Sequence, residues 1–452
     1  MNNILSDRRS AAYLQILKRV PMLHDAAEAL RPGDSEGIAE GINRLVLNPL
    51  LHGYVLWLLG TALRDGVQRL YFLARDGYLP CRAAADLCQA LELPIECRYF
   101  YCSRASLRIP MYHRDVEEAL GHICRGGMEV TPKRILLRAG LEEKEAQEVY
   151  PLLSLPFGWE ESIPYAQLPE VKELLRKSEP FLQAMCRVSR EAFPAMQAYF
   201  RQEGILEPGR FALVDSGWTG TMQRSIRGIC DACGGEGTLQ GYYFGLYHLP
   251  EDCDPGDYSS FFFGPGWGLR NKVWFNNNLF EVVFSAPHGT VLGYRLDDGL
   301  AVPVLGEPRD EIAAYICGFS EQAKAYSSVL TSYLAPDFLK TLPDADLVCL
   351  AAELLKSFMC MPTWDEAEVF GTLPFSDDLL DAGVRELAEK LDTAELWRNH
   401  ALPRILIQLG LLRDAPKQSA WFEGSAVRNG KHVRWHRYSY LCYKFLLYLR
   451  RR

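Results

Sequence analysis

The segment FALVDSGWTGTMQRSI, residues 211–226, constrains the fold of this chain more than any other. Its first four residues are apolar and predict a short buried strand at 211–214. Asp215 then opens a turn of small residues, and a helix is expected from Met222. A strand, an acid, a Gly/Thr turn and a helix N-terminus indicate a phosphate cradle, because backbone N–H groups, hydroxyls and the positive helix end converge there.

A second unit of the same kind lies upstream in RLYFLARDGYLPCRAAADL, where Arg75, Asp76 and Gly77 form the turn. Crossovers of this kind imply parallel strands. Ligands bind beyond the carboxyl ends of such strands, so both turns are expected at one binding edge. The patterns predict strands at 70–74, 96–102, 239–249 and 258–264, and a helix at 79–90.

The composition indicates a globular protein with a substantial core, since 48% of the 452 residues are hydrophobic and 23% are charged. A net charge of −8 argues against a general nucleic-acid binder. The N-terminal residues have no secretory pattern, and we find no run of apolar residues long enough to span a membrane. Thirteen cysteines lie scattered in apolar segments, which predicts reduced side chains and a cytoplasmic protein.

The last part of the sequence is strongly basic. No acidic residue follows Glu423, whereas eight basic residues do. They are Arg428, Lys431, Arg434, Arg437, Lys444, Arg450, Arg451 and Arg452. Two interpretations stay open for the segment 431–452: an amphipathic helix on anionic lipid, or a helix that docks on the body of the protein.

The order of the patterns predicts an α/β protein with a helical insertion. The expected regions are N-terminal helices at 1–66, an α/β core at 67–108 and 205–300, a helical insertion at 109–204, and a mainly helical C-terminal region at 301–452.

Several common acid-and-glycine motifs do not fit. A haloacid-dehalogenase phosphatase needs a second aspartate two positions after the first, where this chain has Tyr78 and Gly217. The dinucleotide motif GxGxxG is only half matched by Gly217 and Gly220. A methyltransferase remains an alternative, although the first acid after the next strand is Glu251, in a loop.

A type I phosphoribosyltransferase fits the pattern better. Arg75, Asp76 and Gly77 would form its pyrophosphate loop, and Asp215 would face the ribose hydroxyls. Mg²⁺ would be held through substrate oxygens, with Asp215 as an indirect partner. The 5′-phosphate loop would consist of Ser216, Gly217, Trp218, Thr219, Gly220 and Thr221. Ser216 stands where typical members carry a second acid.

The segments NPLLHGYVLWLLGTALRDGVQRLYFLARDGY, YFYCSRASLRIP and VDSGWTGTMQ resemble a domain of bacterial surface-polysaccharide loci, often fused to a haloacid-dehalogenase-type phosphatase. The resemblance covers roughly residues 45 to 430. It implies a phosphoribosyltransferase-fold glycosyltransferase that moves a 5-phosphoribosyl group from phosphoribosyl pyrophosphate (PRPP) to a glycan, which could be lipid-linked. No phosphatase domain is expected within this chain, so a separate phosphatase is an expected partner.

The chemistry requires few groups, because charge neutralisation and alignment of donor with acceptor carry most of the catalysis. Arg75 and Arg104 are the candidates for pyrophosphate, since arginine presents a rigid fork of donors. Asp76 or Glu281 would serve as the general base, and Glu281 and His288 are placed on the acceptor side. Besides the methyltransferase, a non-catalytic phosphosugar-binding scaffold remains an alternative.

Overall fold

The core of the molecule is a five-stranded parallel sheet, seen in a computed structural model of the chain. The structure describes residues 5–32, 36–126, 130–376, 384–409, 411–412 and 416–450. The strands of the sheet are β1 Arg69–Leu73, β2 Glu96–Phe100, β3 Arg210–Trp218, β4 Thr238–Leu246 and β5 Tyr258–Phe263. They lie side by side in the order β2-β1-β3-β4-β5.

Continuous apolar runs explain why these segments form a parallel sheet. Leu70 to Leu73 in β1 and Phe211 to Val214 in β3 are all buried, as expected for strands covered on both faces. All five predicted strands are confirmed, but β3 ends four residues later than predicted. Its last residues pair with β4, Gly217 with Gly245 and Trp218 with Leu246.

Helices cover both faces of the sheet. The helix after β1, Tyr78–Ala90, packs against Asn48–Asp65 on one face. The helix after β3, Thr221–Cys233, buries Ile226 and Ile229 on the other face, in the same apolar cluster as Tyr199 and Phe200. The connections leaving β1 and β3 therefore turn to opposite faces. This makes the gap between their carboxyl ends the switch point at which open α/β sheets bind ligands.

The N-terminal helices support the first face. They are Asp7–Leu17, Pro21–Ala29, Ile38–Ile42 and Asn48–Asp65, with a π-helical turn at Asn43–Leu47. Among the described residues, one unbroken helical stretch, Ile38–Asp65, is long and apolar enough to cross a membrane, and its apolar window is wholly buried in the protein. The stretch ends at Gly66, whose φ of 67° forms a left-handed C-cap.

The region between β2 and β3 is helical. Its helices are Arg104–Arg108, Val116–Ile123, Pro132–Arg138, Glu143–Val149, Leu168–Lys177 and Glu179–Gln202, with 3₁₀ turns at Ile109–Met111, Tyr150–Leu153 and Tyr165–Gln167. The region has its own apolar cluster, which includes Leu120, Leu136 and Phe181. The second half of Glu179–Gln202 packs instead on the sheet.

Beyond the sheet lie two small hairpins and more helices. The hairpin strands are β6 Val291–Asp297, β7 Leu300–Leu305, β8 Pro374–Phe375 and β9 Arg385–Glu386. A short 3₁₀ turn, Pro255–Asp257, precedes β5, and a π-helical turn lies at Lys356–Cys360. The helices are Leu269–Trp274, Asn277–Val283, Asp310–Thr331, Pro336–Thr341, Asp344–Leu355, Trp364–Gly371, Thr393–Arg398, Ala401–Gln408, Phe422–Asn429 and Val433–Arg450.

Candidate functional site

A cleft of about 1310 Å³, its open mouth included, lies at the switch point between the carboxyl ends of β1 and β3. That space is ample for a phosphorylated sugar. The predicted residues that line it are Arg75, Asp76, Arg104, Asp215, Ser216, Gly217, Trp218, Thr219, Thr221 and Glu281. A smaller hollow, which shares Arg75 and Glu281 with the cleft, contains His288. The two turns that were singled out separately thus contribute to one site.

A direct contact joins the two turns. The Ser216 hydroxyl, at the end of β3, donates a hydrogen bond to the Asp76 carboxylate in the turn after β1. Ser216 follows Asp215 at the position where the sequence pattern of phosphoribosyltransferases predicts a second acid. The structure brings that second acid from the neighbouring strand, so Asp215 and Asp76 together line the floor of the cleft.

The end of β3 is built from unusual backbone conformations. Gly217 has a φ of 109°, and a Cβ atom there would lie 2.5 Å from the carbonyl oxygen of Gly245. Trp218 follows with a φ of 67°, which is strained for a bulky residue. Despite these φ values, pairing with β4 extends the strand to Trp218. The predicted phosphate loop is therefore shortened to Thr219 and Gly220.

The helix that follows presents its N-terminus to the cleft. No described side chain caps Thr221–Cys233, whose N-cap residue is Gly220 with a φ of 62°. The hydroxyls of Thr219 and Thr221 lie 3.4 Å apart beside this end. The first-turn N–H groups and two hydroxyls can therefore bind an anion in the cleft.

Trp218 holds an acid in place. Its indole Nε1 donates to Glu281 Oε1 over 2.6 Å. The ring packs against Phe275 and Phe280, with centroids 5.1 Å and 5.9 Å away. Packed in this way, the tryptophan orients the carboxylate of Glu281 towards Asp76 and Asp215. The sequence places Glu281 on the acceptor side.

A chain of hydrogen bonds fixes the turn after β1. Arg75 has a φ of 73°, and its N–H donates to the Tyr99 hydroxyl over 2.8 Å. His288 Nδ1 lies 2.8 Å from the carbonyl oxygen of Gly289, which can only accept, so Nδ1 carries the proton. His288 Nε2 then accepts from the Tyr99 hydroxyl over 2.7 Å. His288 is thus a positioning residue, and burial lowers its pKa, which favours this neutral form.

Gly77 has a structural role in the same turn. A Cβ atom at this position would lie 2.4 Å from the carbonyl oxygen of Leu73, so only glycine lets the chain fold back at the end of β1. Gly77 and Gly220 therefore shape the two turns, although neither lines the cleft.

Burial raises the pKa values of three carboxyl groups within the cleft. Burial is the largest cause for each, followed by repulsion from the neighbouring acids for Asp215, whose pKa rises to about 8, and for Glu281, whose pKa rises to about 7. Burial also raises the pKa of Asp76, against the Ser216 hydrogen bond and the charges of Arg75 and Arg104. A cluster of perturbed acids in a cleft is typical of a functional site.

Three arginines complete the lining: Arg75, Arg104 and Arg125. Among the described residues none of them forms an ion pair, although acids line the same cleft. Arg104 and Arg125 are exposed, and Arg75 is half-buried. Arg125 follows the insertion helix Val116–Ile123, and the sequence held no signal for it, because only the folded insertion carries it to the cleft.

The donor set fits a metal ion only in part. In the described ranges no group of three or more His, Cys, Asp and Glu side chains is arranged to hold a metal ion. Mg²⁺ binds through few carboxylates and keeps its other positions for water and substrate phosphates. Asp76 and Asp215 suit that indirect mode, and burial raises the pKa of each carboxyl group against the nearby positive charge of Arg104.

Comparisons with known proteins do not place the chain in a family. No protein-family model matches it, and no curated protein sequence matches it. The cleft therefore has to be interpreted from its own chemistry.

Proposed function

We propose that this protein transfers a 5-phosphoribosyl group from PRPP to a hydroxyl of a bacterial surface glycan and releases pyrophosphate. The observation that carries the proposal is the meeting of Asp76 and Asp215, at the switch point of a parallel sheet, with arginines that form no ion pair to any described residue. Such a site suits a ligand with a polyhydroxyl centre and phosphates on either side. The glycan as acceptor rests on the sequence resemblance.

The lining residues divide between the parts of such a donor. The N-terminus of Thr221–Cys233 and the hydroxyls of Thr219 and Thr221 suit the 5-phosphate. Arg75 and Arg104 suit the pyrophosphate, which needs positive charge as it leaves. Asp215 and Asp76 lie between these two ends and suit the ribose hydroxyls.

Mg²⁺ would be held beside Asp76 and Asp215 and would neutralise charge on the pyrophosphate. In the transfer, the bond between the anomeric carbon and the pyrophosphate oxygen breaks. The acceptor oxygen then bonds to that carbon, and its proton passes to a base. Glu281 suits this role because its pKa of about 7 matches neutral conditions and the Trp218 indole fixes its position.

The cleft supports this transfer better than the other candidates. A methyltransferase would recognise the ribose of its cofactor at the end of β4, yet the described lining of the cleft contains no residue from that end. A non-catalytic scaffold would have no use for a fixed acid with a raised pKa, such as Glu281. A separate phosphatase, acting on the product's 5-phosphate, is part of the proposal.

Calorimetry with PRPP and Mg²⁺ tests donor binding. We expect saturable binding by the wild-type protein and loss of that binding in Asp215→Ala. Asp297→Ala is the matched control, because Asp297 is an exposed aspartate on the β6–β7 hairpin, and it should bind normally. A folded wild-type protein that binds S-adenosylmethionine and ignores PRPP would overturn the proposal. Donor binding without pyrophosphate release across a panel of glycan acceptors would favour the scaffold.

A further inference from the structure

The helix Val433–Arg450 packs on the protein with a polar side inward. Its buried residues are His436, Tyr443 and Lys444. The Lys444 ammonium donates to the carbonyl oxygen of Phe275 over 3.0 Å and lies 3.4 Å from Glu423 Oε1. The positive charge of Lys444 is therefore neutralised within the protein, and large apolar residues of the helix face outward.

The outward side is an apolar stripe. Its members are large side chains between 41% and 63% exposed: Trp435, Tyr438, Phe445, Leu446 and Leu449. With 3.6 residues per turn, they fall within roughly 100° of the helix circumference, opposite the buried side. A soluble helix normally has the reverse arrangement, so this side is built to be covered.

A neighbouring segment also exposes apolar side chains. The helix Ala401–Gln408 contacts Val433–Arg450 through a hydrogen bond from the Ala401 N–H to the Ser439 hydroxyl, and Arg404 lies 4.8 Å from the Tyr443 ring centroid. The segment exposes four leucines to between 45% and 67%: Leu402, Leu409, Leu411 and Leu412. We call the stripe on Val433–Arg450 the apolar face. So many large exposed side chains on two touching elements mark an interaction surface.

Charge identifies what covers the apolar face. Lys431, Arg434 and Arg450 are exposed on or beside the same helix, and no acidic residue follows Glu423 in the sequence. Leucine and phenylalanine with tryptophan, tyrosine and basic residues form the composition of a helix that lies in a lipid interface. Anionic headgroups attract the basic residues, and the apolar side chains enter the acyl boundary.

We propose that the apolar face docks this protein on the surface of an anionic lipid bilayer, with Val433–Arg450 lying along the membrane plane. The helix is also coupled to the cleft. Tyr448 stacks on Tyr247 at 5.4 Å, and Phe275, which accepts the Lys444 hydrogen bond, packs on Trp218. Docking therefore holds one wall of the cleft near the lipid, where a lipid-linked acceptor would lie.

Co-sedimentation with lipid vesicles tests this docking, with no donor present. The full-length protein should bind vesicles of equimolar phosphatidylcholine and phosphatidylglycerol, and bind phosphatidylcholine alone weakly. The double variant Phe445→Asp, Leu449→Asp should weaken binding at least about tenfold, because it removes two apolar side chains that would enter the bilayer. Lys431→Gln and Arg434→Gln should each weaken it about fivefold and reduce its sensitivity to salt.

Leu300→Asp is the matched control, since Leu300 is 61% exposed but lies on the β6–β7 hairpin. It should bind vesicles like the wild type, and unchanged thermal melting would show that each variant folds. The proposal is overturned if the folded wild-type protein does not bind anionic vesicles. It is also overturned if light scattering shows a wild-type dimer that becomes monomeric in the double variant, while neither protein binds vesicles. Because PRPP plays no part, this failure is distinct from failure of the proposed transfer.

Discussion

Among the described residues, charged side chains pair with one another where the strands of the sheet begin, whereas the arginines of the cleft, where the strands end, do not. At the first edge Arg69 contacts Glu96 and Glu207, and Arg98 contacts Glu96 and Glu203. At the second edge, in the described part of the chain, the arginines of the cleft form no ion pair.

We interpret the paired charges as structural and the charges of the cleft as available to a ligand. At the paired edge each guanidinium has a carboxylate, and the pKa of Glu96 is lowered although burial opposes it. At the cleft, burial raises the pKa values of Asp76, Asp215 and Glu281. Burying such acids costs stability, which a protein tolerates where function requires it.

The largest effect is expected for the variant Arg75→Gln, which tests the unpaired edge of the sheet. We expect PRPP affinity to fall about a hundredfold, since a charged hydrogen-bond donor to phosphate is worth roughly 3 kcal/mol. Thermal melting should change little, because Arg75 holds no ion pair within the described structure. Calorimetry and melting measure the two effects. Arg295→Gln, on the exposed hairpin, is the matched control and should keep full affinity; equal losses in both variants would contradict the assignment.

The opposite result is expected for Arg69→Gln at the paired edge. This arginine contacts two carboxylates and lies over the rings of Tyr71 and Phe211. Its loss should lower the free energy of unfolding by about 2 kcal/mol, since the glutamates are partly exposed and the pairs partly screened. Urea titration measures the change. PRPP affinity should stay at the wild-type value, and a selective loss of affinity would erase the distinction between the edges.

A pH series distinguishes the acids of the cleft from ordinary ones. Burial raises the pKa of Asp215 to about 8, so the folded state keeps its proton while the unfolded state releases it from about pH 4 upward. Wild-type stability is therefore lost as the pH rises towards 8.

Asp215→Asn should remove this loss. Relative to wild type, its free energy of unfolding should gain about 1 to 2 kcal/mol between pH 4 and pH 8, a figure discounted for the partial exposure of the side chain. Urea titrations in EDTA at both pH values measure this. Asp297→Asn should show no such trend, and a gain in Asp215→Asn that is the same at both pH values would argue against a buried acid.

Tyr99→Phe gives the smallest expected effect. It removes the hydroxyl between the Arg75 N–H and His288 Nε2, but leaves the aromatic packing in place. PRPP affinity should fall about fivefold, because one hydrogen bond contributes roughly 1 kcal/mol. Tyr101→Phe is the control, and it should bind PRPP like the wild type. Unchanged affinity in Tyr99→Phe would show that the turn after β1 holds its shape without this bond.

Much of the fold and part of the site were predictable from local patterns. The sequence patterns predicted all five strands, and Asp76 and Asp215 were expected at one edge because parallel strands share their carboxyl ends. Phosphoribosyl transfer itself stays a prediction. The extension of β3 to Trp218 was missed, because its last residues are held by backbone pairing with β4 rather than by their own propensity.

The contacts that complete the site join residues far apart in the chain. Ser216 and Asp76 are 140 positions apart, and Trp218 and Glu281 are 63 apart. The Tyr99–His288 bond spans 189 positions. No local pattern records such pairs, because each depends on how helices and loops pack after the sheet has formed.

Local sequence patterns were enough to predict a parallel sheet, two turns with acids at its carboxyl edge, and a basic aromatic segment at 431–452. Hydrophobic periodicity and turn chemistry are local properties, and they suffice for that much. Three features depend on long-range packing instead. Asp76 lies beside Asp215, Glu281 faces both acids, and Val433–Arg450 turns its apolar side outward. Those outcomes depend on which surfaces meet, and burial settles that only when the whole chain has folded.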